Sequence, residues 1–371
     1  MGLKLVFAQS TDVDTPGALA EVLASARSQL GGAVPGGALL FAGQDYDHAS
    51  VLAGIADAWP GLPLIGCTTD GEVNSVQGYT EDSLLLVLFT GVTCTARLGD
   101  GLGVDADAAV QAVCEGPEGA LAITLPASMT SNLGPVVTSL QERLGCPVVG
   151  GAAGDHRQFS LIRQFAGTTV YDDALPVLVL HGDVQVGVGV GCGWERVGGS
   201  YEVTRAEGNL LFELDGQPVL EVLANHAAMS RAELGEHPIA VTPPGASDFF
   251  LRPVFAVDAE NGLLAFAAEV PVGSRVSLTR VMRDGVLDGA AQAARAAREA
   301  NPTATAALVF TCAARKWLLG SRIEHEAAQL GQVGLPFAGF HGFAEIGPLG
   351  TATALHNQTC VVVALGAATV E

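Results

Sequence analysis

One short pattern occurs three times in this sequence and constrains the fold more than any other feature. It reads glycine, any residue, proline, two apolar residues, glycine, and it occupies residues 61–66, 145–150 and 334–339. Each copy follows a segment with helical character, and each of those segments follows a short apolar run. The helical segments are 49–59, 135–144 and 323–330, and the apolar runs are 38–41, 120–125 and 306–310. This internal repetition predicts three strand–helix–strand units.

A further apolar run closes each unit. These runs are 83–89, 175–180 and 359–365. In every copy the first glycine suits a helix end, the proline suits an extended entry, and the apolar pair suits a strand covered on both faces. Such crossovers are almost always right-handed, so the loops that leave the second strands should gather at one edge, where open α/β sheets bind ligands.

The loops that follow the repeated glycines contain the first candidate ligand-binding residues. They are Cys67, Thr68, Thr69 and Glu72 in the first copy, Gly150, Gly151 and Asp155 in the second, and His341 and Glu345 in the third. Glu72 and Glu345 have the same offset from their glycines, and Asp155 comes one place earlier. Three recurring carboxylates could bind an amine or another cation. The alternative for each of them is to cap a following helix or turn.

Between the second and third units the pattern changes. Residues 184–193 alternate valine with glycine, which indicates a strand that another backbone or a ligand approaches closely. Further strands are predicted at 201–205, 209–216, 249–257, 263–270 and 275–280, with helices at 218–228 and 287–300 and a hairpin turn at Asn261-Gly262. We therefore predict a two-lobed α/β protein whose repeated βαβ units form mixed sheets flanked by helices, with additional antiparallel strands in the middle. The predicted domains are residues 1–215 and 216–371.

Charge and composition exclude several classes of function. With 18 Lys and Arg against 39 Asp and Glu, the formal net charge is −21, which disfavours nucleic acids and acidic lipid surfaces as partners. The apolar runs are too short to span a membrane, and the apolar run at residues 5–8 is too short for a secretion signal, so we expect neither a membrane span nor export. The seven cysteines are odd in number and widely spaced, which is typical of reduced thiols in the cytoplasm. No spacing typical of a zinc or c-type haem site occurs, so we expect a cytoplasmic protein without a metal.

Five segments, in order along almost the whole chain, carry a resemblance to a known family. They are residues 64–72, 149–155, 203–209, 310–320 and 339–348, the last followed by 355–359. In these segments the sequence resembles the FIST family, which has a longer N-terminal and a shorter C-terminal region. The residue before the C-terminal acid is usually glycine in that family, whereas Ala344 stands there in this chain.

The resemblance implies a sensory input protein of bacterial signal transduction that binds a small ligand, an amino acid or a similar polar metabolite, and is not an enzyme. It also implies a signalling partner such as a histidine kinase, a cyclic-nucleotide enzyme or a chemotaxis receptor. Because no output domain follows Glu371, we expect that partner to be a separate protein. Some members of the family are haem-binding nitric oxide sensors, which makes haem b the alternative cofactor, with His341 or His356 as its axial ligand.

In the leading hypothesis the three loop carboxylates receive a cationic group and Arg315 holds a ligand carboxylate in a bidentate fork. Thr68, Thr69 and Asn357 would then fix the orientation of the ligand. The alternative for Arg315 is a structural ion pair. Two other classes stay open at this point: a cysteine-dependent hydrolase in which His341 or His356 activates Cys67, and a scaffold for a basic partner.

Overall fold

Three copies of one larger unit make up most of the molecule. The computed structural model describes residues 2–156, 158–160, 162–224 and 236–367. Each unit is a leading strand, a helix, the predicted strand–helix–strand, a two-stranded hairpin and a closing strand. The first comprises β1 (Lys4–Ser10), α1 (Thr15–Leu30), β2 (Gly37–Ala42), α2 (His48–Ala58), β3 (Leu64–Thr68), β4 (Glu72–Asn74), β5 (Gly78–Thr80) and β6 (Leu84–Thr90).

The second unit repeats this order without interruption. It comprises β7 (Thr93–Asp100), α3 (Ala106–Cys114), β8 (Leu121–Thr124), α4 (Leu133–Leu144), β9 (Val148–Ala152), β10 (Gln164–Ala166), β11 (Thr169–Tyr171) and β12 (Ala174–His181). Glycine in the left-handed conformation ends α4 at Gly145, as the repeated pattern predicts.

The third unit is split by an inserted sheet. It opens with β13 (Val184–Gly191). The insertion contains β14 (Glu195–Glu207), β15 (Leu210–Leu214), β16 (Gln217–Pro218), α5 (Val219–Val222), β17 (Ile239–Thr242), β18 (Phe250–Arg252), β19 (Val254–Asp258), β20 (Leu263–Phe266) and β21 (Arg275–Arg280). The unit resumes with α6 (Arg283–Ala300), β22 (Ala306–Cys312), α7 (Ala313–Leu319), α8 (Ile323–Leu330), β23 (Phe337–Gly342), β24 (Ala344–Leu349), β25 (Ala352–His356) and β26 (Cys360–Ala367), with 3₁₀ turns at Gly320–Arg322 and Gly331–Val333.

The hairpin of each unit pairs with the sheet of another unit. The three six-stranded sheets have the orders β1-β6-β2-β3-β10-β11, β7-β12-β8-β9-β24-β25 and β13-β26-β22-β23-β4-β5. The first hairpin therefore lies in the third sheet, the third hairpin in the second sheet, and the second hairpin in the first sheet. We call these β-hairpins the exchanged hairpins. They join the units in a closed cycle.

The three sheets bury one face in a common core and the other under their own helices. In β6, Leu85, Val87 and Phe89 belong to the common core, which also contains residues of the other two sheets. Their neighbours on the opposite face pack in the cluster of α1 and α2. Such strands are apolar at every position because both faces are covered, and each buried large side chain contributes about 1.5–3 kcal/mol. The predicted fold class of mixed sheets flanked by helices is confirmed.

The Val–Gly alternation of β13 is explained by helix α6. A Cβ atom added at Gly189 would lie 2.0 Å from the carbonyl oxygen of Ala293, and similar contacts face Gly187 and Gly191. The valines alternate to the other face, against the common core. The alternating pattern predicted close approach by another backbone or by a ligand, and in the structure the backbone of α6 makes this approach.

The inserted strands form a curled antiparallel sheet in the order β18-β17-β21-β14-β15-β20-β19, with β16 beside β15. It has a core of its own that includes Val203, Leu214 and Phe266. The boundary predicted at residue 215 falls in the turn between β15 and β16, inside this sheet. Of the helix predicted at 218–228, the structure contains α5, and residues 225–228 lie outside the described residues. No described helix has the length and apolar character needed to span a bilayer.

Candidate functional site

The loops that follow β3, β9 and β23 meet one another, as predicted from the repeats. Backbone hydrogen bonds join the loops in pairs: Gly154 N donates to Thr68 O at 2.9 Å, and Asp70 N donates to His341 O at 2.7 Å. Phe343 N completes the set by donating to the carbonyl oxygen of residue 152 at 3.1 Å. The loops interlock through their backbones, so the predicted acidic side chains are fully buried among them.

The equivalence of the three acids is partly wrong. In the sheet registers, Val73 lies opposite Gly339, Ile346 opposite Gly150, and Phe165 opposite Gly66. The residues that precede Val73, Ile346 and Phe165 are Glu72, Glu345 and Gln164. Each of them is the first or second residue of its exchanged hairpin. The position in the second unit is therefore Gln164 and not Asp155, because the loop between β9 and β10 is longer than its counterparts.

These three side chains tie each hairpin to the start of a closing strand. Gln164 Oε1 accepts from Ala174 N at 3.1 Å, and Glu345 Oε2 accepts from Thr359 N at 3.1 Å. Glu72 accepts from the hydroxyls of Thr69 and Ser83. Burial raises the pKa of Glu72 to about 7 and the pKa of Glu345 well above its usual range. A partly protonated, hydrogen-bonded carboxyl attracts a ligand cation weakly.

Asp155 has a local partner set of its own. Its carboxylate accepts from Phe159 N at 2.9 Å and from Ser160 N at 2.7 Å. Asp155 therefore caps a turn, which is the alternative to ligand binding for this residue. It orders the loop that carries His156 and Phe159, both of which have positive φ angles.

Arg315 lies at the centre of a buried ionic network. Its guanidinium contacts Glu326 at 2.7 Å and donates to the carbonyl oxygens of Cys192 and Val286, each at 2.7 Å. Glu326 also contacts His341 Nε2 at 3.0 Å. Burial would raise the pKa of Glu326, but Arg315 and His341 outweigh burial and lower it to about 2. The structure thus contains the ion pair that was the alternative for Arg315.

Among the described residues, nothing around Cys67 lowers the pKa of its thiol. Its side chain is fully buried, and burial together with Glu72 raises its pKa well above the usual value. Nucleophilic cysteines need a lowered pKa and access to solvent. Thr68 and Thr69 are also fully buried, and Gly151 faces the ring of Phe340.

A cavity of about 560 Å³ opens beside the exchanged hairpin of the third unit. Its walls come from the start of α4, from the loop before β18, from Glu269 and Pro271 after β20, and from both strands of the hairpin β24–β25. The lining residues are Gly134, Thr138, 243–248, Phe250, Arg252, Glu269, Pro271 and 349–355. None of the residues predicted to bind a ligand is among these lining residues.

Arg252 is the buried cation of this cavity. It is fully buried, stacks on the ring of Phe250 with its Cζ atom 3.9 Å from the centroid, and donates through Nη1 to Leu355 O and to Asn357 Oδ1, each at 3.1 Å. Burial lowers its pKa to about 10, against the opposing effect of Glu269. The guanidinium is therefore still charged at neutral pH. Its Nη2 atom lies 3.7 Å from Glu269 Oε1, beyond a good hydrogen bond.

Glu269 supplies the opposite charge. Its carboxylate is 20% exposed, and its Oε2 atom is buried without a hydrogen-bond partner among the described residues. A side chain at Gly134 would collide with this carboxylate, because an added Cβ would lie 1.6 Å from Oε1. The first turn of α4 thus leaves room for Glu269 by carrying glycine.

Of the predicted site residues, Asn357 accepts a hydrogen bond from Arg252, which lines this cavity. A signal for the missed residues existed in the sequence. Arg252 interrupts the apolar run Phe249 to Phe255, and Glu269 ends the apolar run from Leu263. A charged residue within a buried strand requires a partner or a ligand.

Neither of the two predicted axial histidines is placed to bind a haem in the described part of the chain. An axial histidine needs a ring nitrogen directed at the iron beside a sufficiently large apolar space. His341 Nε2 contacts Glu326, His356 Nε2 contacts Gly347 O at 3.3 Å, and neither residue lines the cavity described above. Burial lowers the pKa of His356 to about 4. An absorption spectrum after addition of haem, in the presence and absence of nitric oxide, tests the alternative directly.

Fold and cavity together define a class: repeated α/β proteins with exchanged hairpins and a polar cavity of ligand size. Family models identify the group. The model described as FIST N domain matches residues 38–217, and the one described as FIST C domain matches residues 218–348. The chain belongs to the FIST family, whose domains are sensory domains of signal transduction, and the predicted resemblance is confirmed.

Similar proteins occur in mycobacteria and in an archaeon. The uncharacterized protein Rv0628c of Mycobacterium tuberculosis is 28% identical over 94% of this chain and 96% of its own length. The uncharacterized protein Mb0898c of Mycobacterium bovis is 26% identical, over 94% of this chain and 95% of its own. The uncharacterized protein MJ1623 of Methanocaldococcus jannaschii is 27% identical over 45% of this chain and 36% of its own length.

Proposed function

We propose that this protein is a sensory receptor for a free amino acid, bound in the cavity between α4, the curled sheet and the hairpin β24–β25. The observation that carries the proposal is the buried Arg252 beside Glu269 in a cavity of about 560 Å³. Small-molecule sites are typically about 300–1,000 Å³ in volume and contain a few convergent polar groups.

The charges of the cavity favour a zwitterion. A ligand carboxylate would pair with the guanidinium of Arg252, and a ligand ammonium group would pair with the carboxylate of Glu269, which is 20% exposed. Each such charge-assisted hydrogen bond contributes about 1.5–3 kcal/mol. A purely anionic ligand would find Arg252 already balanced by Glu269 and would enter a protein of net charge −21.

The interlocked loops have a supporting role in this proposal. Asn357 receives a hydrogen bond from Arg252 Nη1 and holds the guanidinium at the wall of the cavity, and its own Nδ2 donates to Phe343 O at 3.4 Å. We propose further that the bound state is passed to a separate cytoplasmic signalling protein, of the kinase, cyclic-nucleotide or chemotaxis type that the family serves.

Isothermal titration calorimetry against a panel of amino acids tests the receptor. At least one member should give a saturable binding heat, and Glu269→Gln should weaken it about tenfold or more, because it removes one charge without changing shape. Circular dichroism and thermal unfolding check that the variant is folded, since Arg252 is buried beside this carboxylate. Glu195→Gln is the matched control, since Glu195 forms an exposed pair with Arg280 in the same curled sheet. Absence of heat for the whole panel, or equal affinity in Glu269→Gln, would overturn the proposal.

A further inference from the structure

Four aromatic side chains from four different elements meet at the surface near the interlocked loops. Phe159 and Phe343 have ring centroids 4.9 Å apart, Phe159 and Phe255 are 6.5 Å apart, and Phe343 and Trp317 are 6.3 Å apart. Phe159 is 37% exposed and Phe255 is 43% exposed. We call Phe159, Phe255, Phe343 and Trp317 the aromatic surface.

Both exposed rings are placed by irregular backbone. Phe159 has a φ of +52°, in the left-handed region that a bulky residue rarely adopts, at a cost on the order of 1 kcal/mol. The carboxylate of Asp155 holds this conformation by accepting from Phe159 N. Strain of this kind persists where the surrounding structure enforces it, and it clusters at functional positions.

Phe255 lies at a β-bulge. In the pairing of β19 with β20, Val254 faces Phe266 and Ala256 faces Ala265, so Phe255 is the additional residue. Bulges redirect a side chain, and here the side chain is directed to Phe159 of another part of the molecule. β19 is also the last strand of the curled sheet in the described part of the chain. Two independent backbone irregularities therefore bring exposed rings together.

The neighbourhood of the aromatic surface is acidic. Lys316, which precedes Trp317, contacts Asp70 at 2.6 Å and Glu81 at 2.8 Å. His156, in the loop of Phe159, lies 3.4 Å from Asp82. Glu81 is 49% exposed and Asp82 is 60% exposed, so two carboxylates contact the one lysine and a third lies beside the histidine, in a protein of net charge −21. A partner here should therefore be basic.

We propose that the aromatic surface is the docking site for a basic and apolar peptide segment of a signalling partner. Large aromatic residues dominate the binding energy of protein interfaces, and a complementary charged rim steers association. The docking site is separate from the Arg252 cavity, so its test does not depend on the identity of the cavity ligand.

Fluorescence anisotropy with three labelled peptides of equal length tests the docking site on the full chain. One peptide contains Lys with Leu and Phe, the second replaces Lys with Glu, and the third keeps Lys but replaces Leu and Phe with Ser. The first should bind about tenfold or more tightly than the other two, because only it matches both the rings and the charge.

Surface variants locate the binding. Phe255→Ser and Phe159→Ser should each weaken binding of the basic apolar peptide about tenfold. Val104→Ser is the matched control, because Val104 is 89% exposed on the second unit, and it should leave binding unchanged. Thermal unfolding confirms that each variant is folded, and Phe255→Ser alone suffices if Phe159→Ser is destabilised. Three results would overturn the proposal: the peptide with Lys and Ser binds as tightly as the peptide with Lys, Leu and Phe, the peptide with Lys, Leu and Phe does not bind, or Phe255→Ser keeps full affinity.

Discussion

Replacement of Gly189 by alanine should destabilise the protein through the contact between β13 and α6. The new Cβ atom would lie 2.0 Å from Ala293 O and 2.6 Å from Ala297 N. Carbon needs about 3.5 Å to a neighbouring heavy atom, so strand and helix must separate by more than 1 Å. The face of α6 at this contact is fully buried, and separation would loosen it along its length.

The expected cost is about 1–3 kcal/mol, the usual range for an added methyl group in a well-packed core. Gly187 and Gly191 meet α6 equally closely, so the helix cannot tilt away at one end to relieve the collision. The free energy of unfolding is to be measured by urea titration followed by circular dichroism.

Gly331→Ala is the matched control for this prediction. Gly331 has helical backbone angles, and an added Cβ would have no neighbour within 4 Å. Alanine there should be neutral or should stabilise by about 0.5–1 kcal/mol, because it restricts the unfolded chain. If Gly189→Ala is as stable as Gly331→Ala, the explanation of the alternating Val–Gly strand is refuted.

Two further predictions concern buried charge. Glu326→Gln should lower the free energy of unfolding by about 3–5 kcal/mol in urea titrations, because it leaves Arg315 buried without its counter-ion. Glu324→Gln is the control: it lies on the exposed face of the same helix and should change the free energy of unfolding little. Glu72 has its pKa raised from 4.5 to about 7 by burial, so the unfolded chain loses this proton first and stability falls as pH rises between those values. Glu72→Gln, which copies Gln164 at the equivalent position, should therefore gain about 3 kcal/mol relative to the wild type between about pH 5 and pH 8, and a pH-independent difference would contradict the assignment.

The repeated units could be predicted because their signals are local. Helix ends, extended entries and apolar strands follow from neighbouring residues, and the three copies reinforce one another. The pairing of hairpins could not be predicted in this way. A strand of three residues such as β4 gives no local indication of its partner, which is set by contacts far along the chain.

The candidate site was predicted less well for a related reason. Counting residues from the repeated glycine aligned Asp155 with Glu72, although the longer loop after β9 moves the true equivalent to Gln164. Arg252 and Glu269 come from an insertion without a repeat, so no internal comparison could single them out. Their proximity results from folding of the curled sheet against α4.

The exchanged hairpins have a consequence for how the molecule could be divided. A fragment that stops at Thr90 would keep a hairpin without its acceptor sheet and a strand, β3, without its neighbour β10. Such a fragment would have one unpaired hairpin and one unpaired sheet edge. Three fragments could pair all of these strands only by assembling in a ring. The single chain contains that ring already closed, so its three parts gain or lose their structure together.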